Sequence, residues 1–172
     1  MKTFFEKQIL LRGPLKFIHL LFFGLLLLLF YADFTQIVAG KPFGDKPASN
    51  LQLFALTSLI AIVYILFIKT ALVTWIDVEG IKLKWVPYHK NYKLIKWAEI
   101  KEYTIINNHS HKVGYTRINN RVVNDVWGET ALRLLLNDKR EFFIGTQKGN
   151  EMESCFLNIQ DVISNLETKS VS

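Results

Sequence analysis

From Leu51 to Ile68 the chain runs for eighteen residues without a charge, and just past Lys69 its character changes. At about 1.5 Å of rise per residue, a helix of that length spans roughly 27 Å, close to the hydrocarbon thickness of a bilayer. Twelve of these residues are Leu, Ile, Val or Phe. At roughly −0.3 to −0.6 kcal/mol each they favour insertion by several kcal/mol. Thr70-Ala71-Leu72-Val73-Thr74-Trp75 follows, β-branched and aromatic, and reads as a strand. No Gly-, Pro- or Ser-rich linker separates the two. The pattern predicts a membrane helix joined almost directly to a water-soluble β module.

A second apolar segment, Phe17 to Ala32, lies ahead of it and extends to Leu15 if Lys16 snorkels to the interface. Residues 1–14 read as a basic flank. Lys2, Lys7, Arg12 and Lys16 stand there and at the segment's edge, against Glu6. A cleaved signal peptide is the rival reading. Cleavage after Ala39 or Ala32 places Ile37 or Phe30 at the outer recognition position, and neither is small. Residues 33–50 are a polar connector with Pro42, Pro47, Gly40 and Gly44. The expected organisation is a span over 15–32, an extracytoplasmic loop over 33–50 and a second span over 51–69. A cytoplasmic domain over 70–167 and a tail over 168–172 follow. Basic residues before the first span and after the second place both termini in the cytoplasm of a bacterial inner membrane protein. Ala55, Ser58 and Ala61 recur on one side of the second span and Gly24 lies in the first, so these four are the candidate seam of the helical hairpin.

Past Trp75 the period becomes two. Ile76 and Val78 alternate with Asp77 and Glu79; after the Glu79-Gly80 turn, Ile81, Leu83 and Trp85 alternate with Lys82 and Lys84. Pro87 ends that strand. Short strands follow over 93–97, 100–106, 111–117 and 121–126, then a hairpin of 129–136 with 140–145 closed by Asn137-Asp138-Lys139. Two faces of 100–106 are not cleanly divided. The last element reads as a helix with a capping-box-like start, Asn150 and Glu153, and a stripe through Met152, Cys155, Phe156, Ile159, Val162, Ile163 and Leu166. About seven strands and one helix predict a small barrel or sandwich with the helix packed on it.

Ile95-Lys96-Trp97-Ala98-Glu99-Ile100, Gly114-Tyr115-Thr116-Arg117, Asn124-Asp125-Val126-Trp127-Gly128, Ala131-Leu132-Arg133-Leu134-Leu135-Leu136 and Phe143-Ile144-Gly145-Thr146-Gln147-Lys148 occur in this order. Together they resemble the bacterial pleckstrin-homology-like domains of small membrane proteins. The resemblance implies a mostly-β (α+β) module: a seven-stranded, strongly bent barrel capped by a C-terminal helix. Eukaryotic relatives often bind phosphoinositides through a basic loop between the first two strands. That loop is Glu79-Gly80 here, too short and too acidic, so the activity is not carried over.

Chemistry-bearing residues are sparse. A single cysteine, Cys155, excludes a disulfide framework and reads as core. His109-Ser110-His111 offers two imidazoles with no recognisable third ligand. His19 sits near the cytoplasmic end of the first span and is a functional candidate by position. There is no phosphate loop, dinucleotide fingerprint or nucleophile–base pattern, so neither a cofactor nor an enzyme is expected. Arg117, Arg121 and Arg133 are candidates for an anion pocket. The strongest electrostatic feature is basic: Lys82, Lys84, Lys90, Lys93 and Lys96, early in the domain and near the membrane exit in sequence. The net charge of +6 fits topology and anionic headgroups better than nucleic acid, since the aromatics alternate into the core. The expected work is protein docking or self-assembly at the membrane. Recognition of an anionic lipid headgroup or small ligand is the alternative, and an enzyme or transporter subunit the remote one.

Overall fold

The computed structural model describes residues 3–11, 14–107 and 113–170, with Val113 and 160–170 as backbone only. It divides into two compact units, residues 10–69 and residues 1–9 with 70–172.

In the first unit the apolar runs form α1, Leu15–Asp33, continued by a π-helical turn Phe34–Val38, and α2, Asn50–Lys69. Both are long and apolar enough to cross a membrane, 24 residues for Leu15–Val38 and 20 for Asn50–Lys69. Most of their apolar side chains point outward, as lipid-facing helices require and as the core helix of a soluble protein does not. The start of α2 is a reciprocal cap. The Ser49 amide donates to Gln52 Oε1 (3.1 Å) and the Gln52 amide to Ser49 Oγ (3.3 Å).

The hairpin seam differs from the small-residue stripe. On α1 the shielded positions are Leu15, His19, Phe22, Leu26 and Leu29; on α2 they are Leu53, Thr57, Ile60, Tyr64 and Phe67. Both repeat at alternating steps of four and three, the seam of a left-handed helix pair. Phe22 stacks on Tyr64 with centroids 5.6 Å apart, and Leu29, Ala32 and Leu53 form a buried cluster with Phe43 and Ile60 against it. Gly24 is exposed with open space where a Cβ would stand, and Ala55 is exposed. Ser58 and Ala61 are half-buried beside the stripe. Large side chains fill this interface, so close backbone approach is not what holds it.

The second unit holds two sheets and a helix. The chain's first strand, β1 (Phe4–Ile9), precedes the hairpin. After it come β2 (Ala71–Asp77), β3 (Gly80–Val86) and β4 (Lys93–Lys96). These four form an antiparallel sheet in the order β1-β2-β3-β4. Residues 1–14 are therefore more than a basic flank: Ile9 pairs with Ala71 and Phe4 with Ile76. The hairpin is spliced into the sheet between its first two strands. β5 (Ile100–Asn107), β6 (Val113–Ile118), β7 (Arg121–Val126), β8 (Thr130–Leu136) and β9 (Glu141–Thr146) form the other sheet, ordered β5-β8-β9-β7-β6. Its β7–β9 pair is parallel. A bulge at Ile100/Glu102 shifts the register of β5, which is why its faces do not divide by simple alternation. Among the described residues nine strands in two sheets replace the expected seven-stranded barrel, and the sheets do not close on one another.

Alternation sends Leu72, Ile76, Ile81 and Leu83 of one sheet and Leu132, Leu134, Phe142 and Ile144 of the other into a buried core. The final helix, α3 (Gly149–Ser170), adds Met152, Cys155, Phe156 and Ile159. Phe156 meets Trp97 edge-on at 5.3 Å and Tyr103 at 4.9 Å. The helix begins at Gly149, so Asn150 lies inside its first turn rather than capping it. At the β7–β8 connection Asp125 Oδ1 accepts from the Gly128 amide (2.8 Å), with Trp127 at φ 55°. Gly145 leaves room for that carboxylate, which any Cβ there would overlap.

Candidate binding surfaces

β1 is seated by polar groups facing inward. The Glu6 carboxylate is buried and accepts from Thr146 Oγ1 (2.7 Å), the Gln147 amide (2.9 Å) and Gln8 Nε2 (3.1 Å). Gln8 Nε2 also donates to the Gly145 carbonyl (2.6 Å). Between the same two sheets Trp85 Nε1 donates to Asn124 Oδ1 (2.9 Å). Buried polar groups cost free energy unless paired, so these bonds fix which strand fits this edge.

With Glu6 and Gln8 turned in, Phe5, Lys7 and Ile9 turn out. Register then builds three rows on the outer face of the β1–β4 sheet, in which Ala71 and Val73 are themselves buried while their neighbours on β1 stay exposed. Phe5, Trp75, Lys82 and Leu94 form one; Lys7, Val73 and Lys84 the next; Ile9, Ala71 and Val86 the last. Phe5 and Trp75 pack edge-on at 6.0 Å yet stay 54% and 40% exposed. Lys84 Nζ sits 5.4 Å from the Tyr92 ring centroid.

The five lysines singled out from the sequence do not form one patch. Lys82, Lys84 and Lys96 share this outer face, and Lys90 lies exposed in the 87–92 connection. Lys82 is neutralised there, paired with Asp77 (2.8 Å) and Glu79 (2.7 Å). Burial pushes the Asp77 carboxyl up, but hydrogen bonds from Lys82 and the Glu79 amide outweigh it and leave it below its ordinary value. Lys93 points to the opposite face, its Nζ 4.3 Å from the centroid of the buried Phe142. Burial, then the neighbouring Arg140 and Arg117, hold it below the usual lysine range. Lys7 joins this face only through the register of β1, since its surroundings in sequence read as a basic flank.

The outer face of the other sheet is different. Glu141 bridges Arg133 and Arg121, the latter at 3.4 Å, and the Arg133 hydrogen bond holds its carboxyl below the ordinary 4.5. Arg117 sits opposite Val122 on the other side of the strand, so the three arginines do not converge. Arg121 instead helps line a cleft of about 390 Å³ with Lys139, Glu141 and the Asn119-Asn120 turn. Among the described residues β6 pairs on one side only, with β7, and carries Tyr115 and Ile118 at 52% and 60% exposure.

His19 is buried between the helices, donating from Nε2 to the Leu10 carbonyl (2.9 Å) and packing on Tyr64 and Phe67. Cys155 is buried in the core. His109 and His111 lie outside the described residues. No family model, no curated protein and no solved structure matches this chain.

Proposed function

We propose that this chain is an inner-membrane binding module. Its two-span hairpin anchors a pleckstrin-homology-like domain at the cytoplasmic face, and the domain docks a protein strand or a second copy of itself. The β1–β2 pairing supports the topology, because strands before and after the hairpin in one sheet demand that both hairpin ends leave the membrane on one side. The observation that carries the docking is the open edge of β6. An unpaired strand edge presents a row of backbone donors and acceptors that an extended segment satisfies by strand addition. Tyr115 and Ile118 stand on it as apolar anchors. A photo-crosslinking residue at Tyr115 or Ile118, in the full chain in its native membrane, is expected to give a protein adduct of fixed mass. The same residue at Asn137 is expected to give none. Adducts of equal yield at all three positions, or lipid adducts alone, contradict the docking.

A further inference from the structure

We propose that the outer face of the β1–β4 sheet lies against the surface of an anionic lipid bilayer, Phe5, Trp75 and Leu94 entering the interface and Lys7, Lys84 and Lys96 meeting the headgroups. This uses the anchoring reading above and is independent of the β6 edge.

Three observations converge on a lipid surface. The first is composition by row. Exposed Phe5 and Trp75 stand beside lysines that make no ion pair among the described residues. A water-facing sheet has little use for two exposed aromatic rings in contact. A membrane interface accommodates aromatics and the apolar stems of lysines together, and it attracts the ammonium groups. The second is the tether. Ala71 follows Lys69, the last residue of α2, by two positions, and its register partner Ile9 lies six before the start of α1. Two of the three strands in the apolar row Ile9-Ala71-Val86, β1 and β2, are thus bound covalently to the hairpin. The third is the charge gradient along the strands. The acidic turn, Asp77 and Glu79, stands at the other end of β2, about 20 Å from Ala71 at roughly 3.3 Å per residue. Its carboxylates are matched internally by Lys82. Negative charge is kept from the tethered end, where Lys7 and Lys84 stand unmatched one row away, while Lys96 lies opposite Gly80 in the row of Asp77.

A second copy of the chain is a poorer occupant. Self-association through one face sets Lys7, Lys84 and Lys96 against the same lysines, with like charges brought together.

The test uses the full chain in nanodiscs holding one copy each. Cys155 is replaced by serine and an environment-sensitive fluorophore is attached to a cysteine at Leu94. Discs are made from phosphatidylcholine alone or from an equimolar mixture with phosphatidylglycerol. In the anionic discs the label is expected to be shielded from aqueous iodide and quenched by brominated acyl chains; in the neutral discs it stays open to iodide. Each lysine near an anionic leaflet is a factor of about five in the docked population, so K7Q/K84Q/K96Q lowers the docked-to-open ratio by about two orders of magnitude. High salt acts in the same direction. A label at Lys139, on the other sheet, is expected to stay open throughout, which also reports that the variants are folded. A Leu94 label equally open in both discs, or shielded whatever the lysine content, overturns the proposal. So does shielding confined to discs with two copies, which assigns the face to self-association. A chain that does not enter discs at all sinks the anchoring as well.

Discussion

The two sheets of the β unit treat their outer faces differently. On the β5–β9 sheet the arginines are matched, Glu141 bridging Arg121 and Arg133 and Asp138 holding Arg140, and Glu102 is the acid in Glu141's row without an ion pair among the described residues. On the β1–β4 sheet the matched charges are gathered at the Asp77–Glu79 turn. Lys7, Lys84 and Lys96, without ion pairs among the described residues, and exposed Phe5 and Trp75 share the rest with buried Ala71 and Val73. A surface that balances its own charges is finished in water. We propose that one that does not is organised for something outside the chain, and here it belongs to the sheet into which the two-helix hairpin is spliced.

The comparison breaks first in the core, which the sheets share. Phe142 is fully buried, and Phe142→Ala is expected to destabilise the unit by about 3–5 kcal/mol, read from denaturant melts of the full chain in mild detergent. Loss below about 1 kcal/mol would mean that the sheets do not pack as described. Glu6→Ala comes next. It strands the Thr146 hydroxyl and the Gln147 amide, and a cost of about 2–3 kcal/mol is expected, with faster hydrogen exchange in β1 than in β8. Unchanged exchange in β1 would show the strand is seated by other means.

Acid sharpens the contrast at lower amplitude. The Glu141 carboxyl titrates below its ordinary 4.5 in the folded chain, so its contribution is complete above that value and is lost as pH falls through the folded one. Asp77 behaves likewise below 3.8. Arg133→Ala is expected to flatten the part of the stability-against-pH curve that Glu141 supplies, and an unaltered curve would show that the ion pair carries none of it. Smallest of all, K84Q and K96Q are expected to lie within about 0.5 kcal/mol of the parent, because they contribute little to the fold. Their effect is expected in the proposed lipid contact.

Strong periodicity made much of this legible in the sequence. The apolar runs gave both helices, and alternation gave β2, β3, β8 and β9, each within about two residues of its observed limits. β1 was hidden because its alternation is inverted: Glu6 and Gln8 face inward while Phe5 and Ile9 face outward. A reader seeking apolar residues on the core face takes such a segment for a charged flank. The hairpin seam departs from the small-residue stripe for a related reason. Small residues signal close approach, but this pair meets through Phe22, Leu29, Leu53 and Tyr64, which a uniformly apolar helix does not distinguish from lipid-facing neighbours. The parallel β7–β9 pairing joins segments with β8 between them, and no local pattern encodes it. On the candidate surface Lys82, Lys84 and Lys96 were found by charge alone. Lys7, Phe5 and the inward turn of Lys93 depended on register.

The central claim is that chain on either side of the hairpin forms one sheet, and paired cysteines test it most directly. Phe5 and Trp75 are register partners, so F5C/W75C in a Cys155→Ser background is expected to form an intramolecular disulfide readily on mild oxidation in native membranes. F5C/L94C, three strands apart in the same row at about 14 Å, is expected to form none. Failure of the first pair to close, or labelling of positions 5 and 75 from opposite sides of the membrane, would contradict the account.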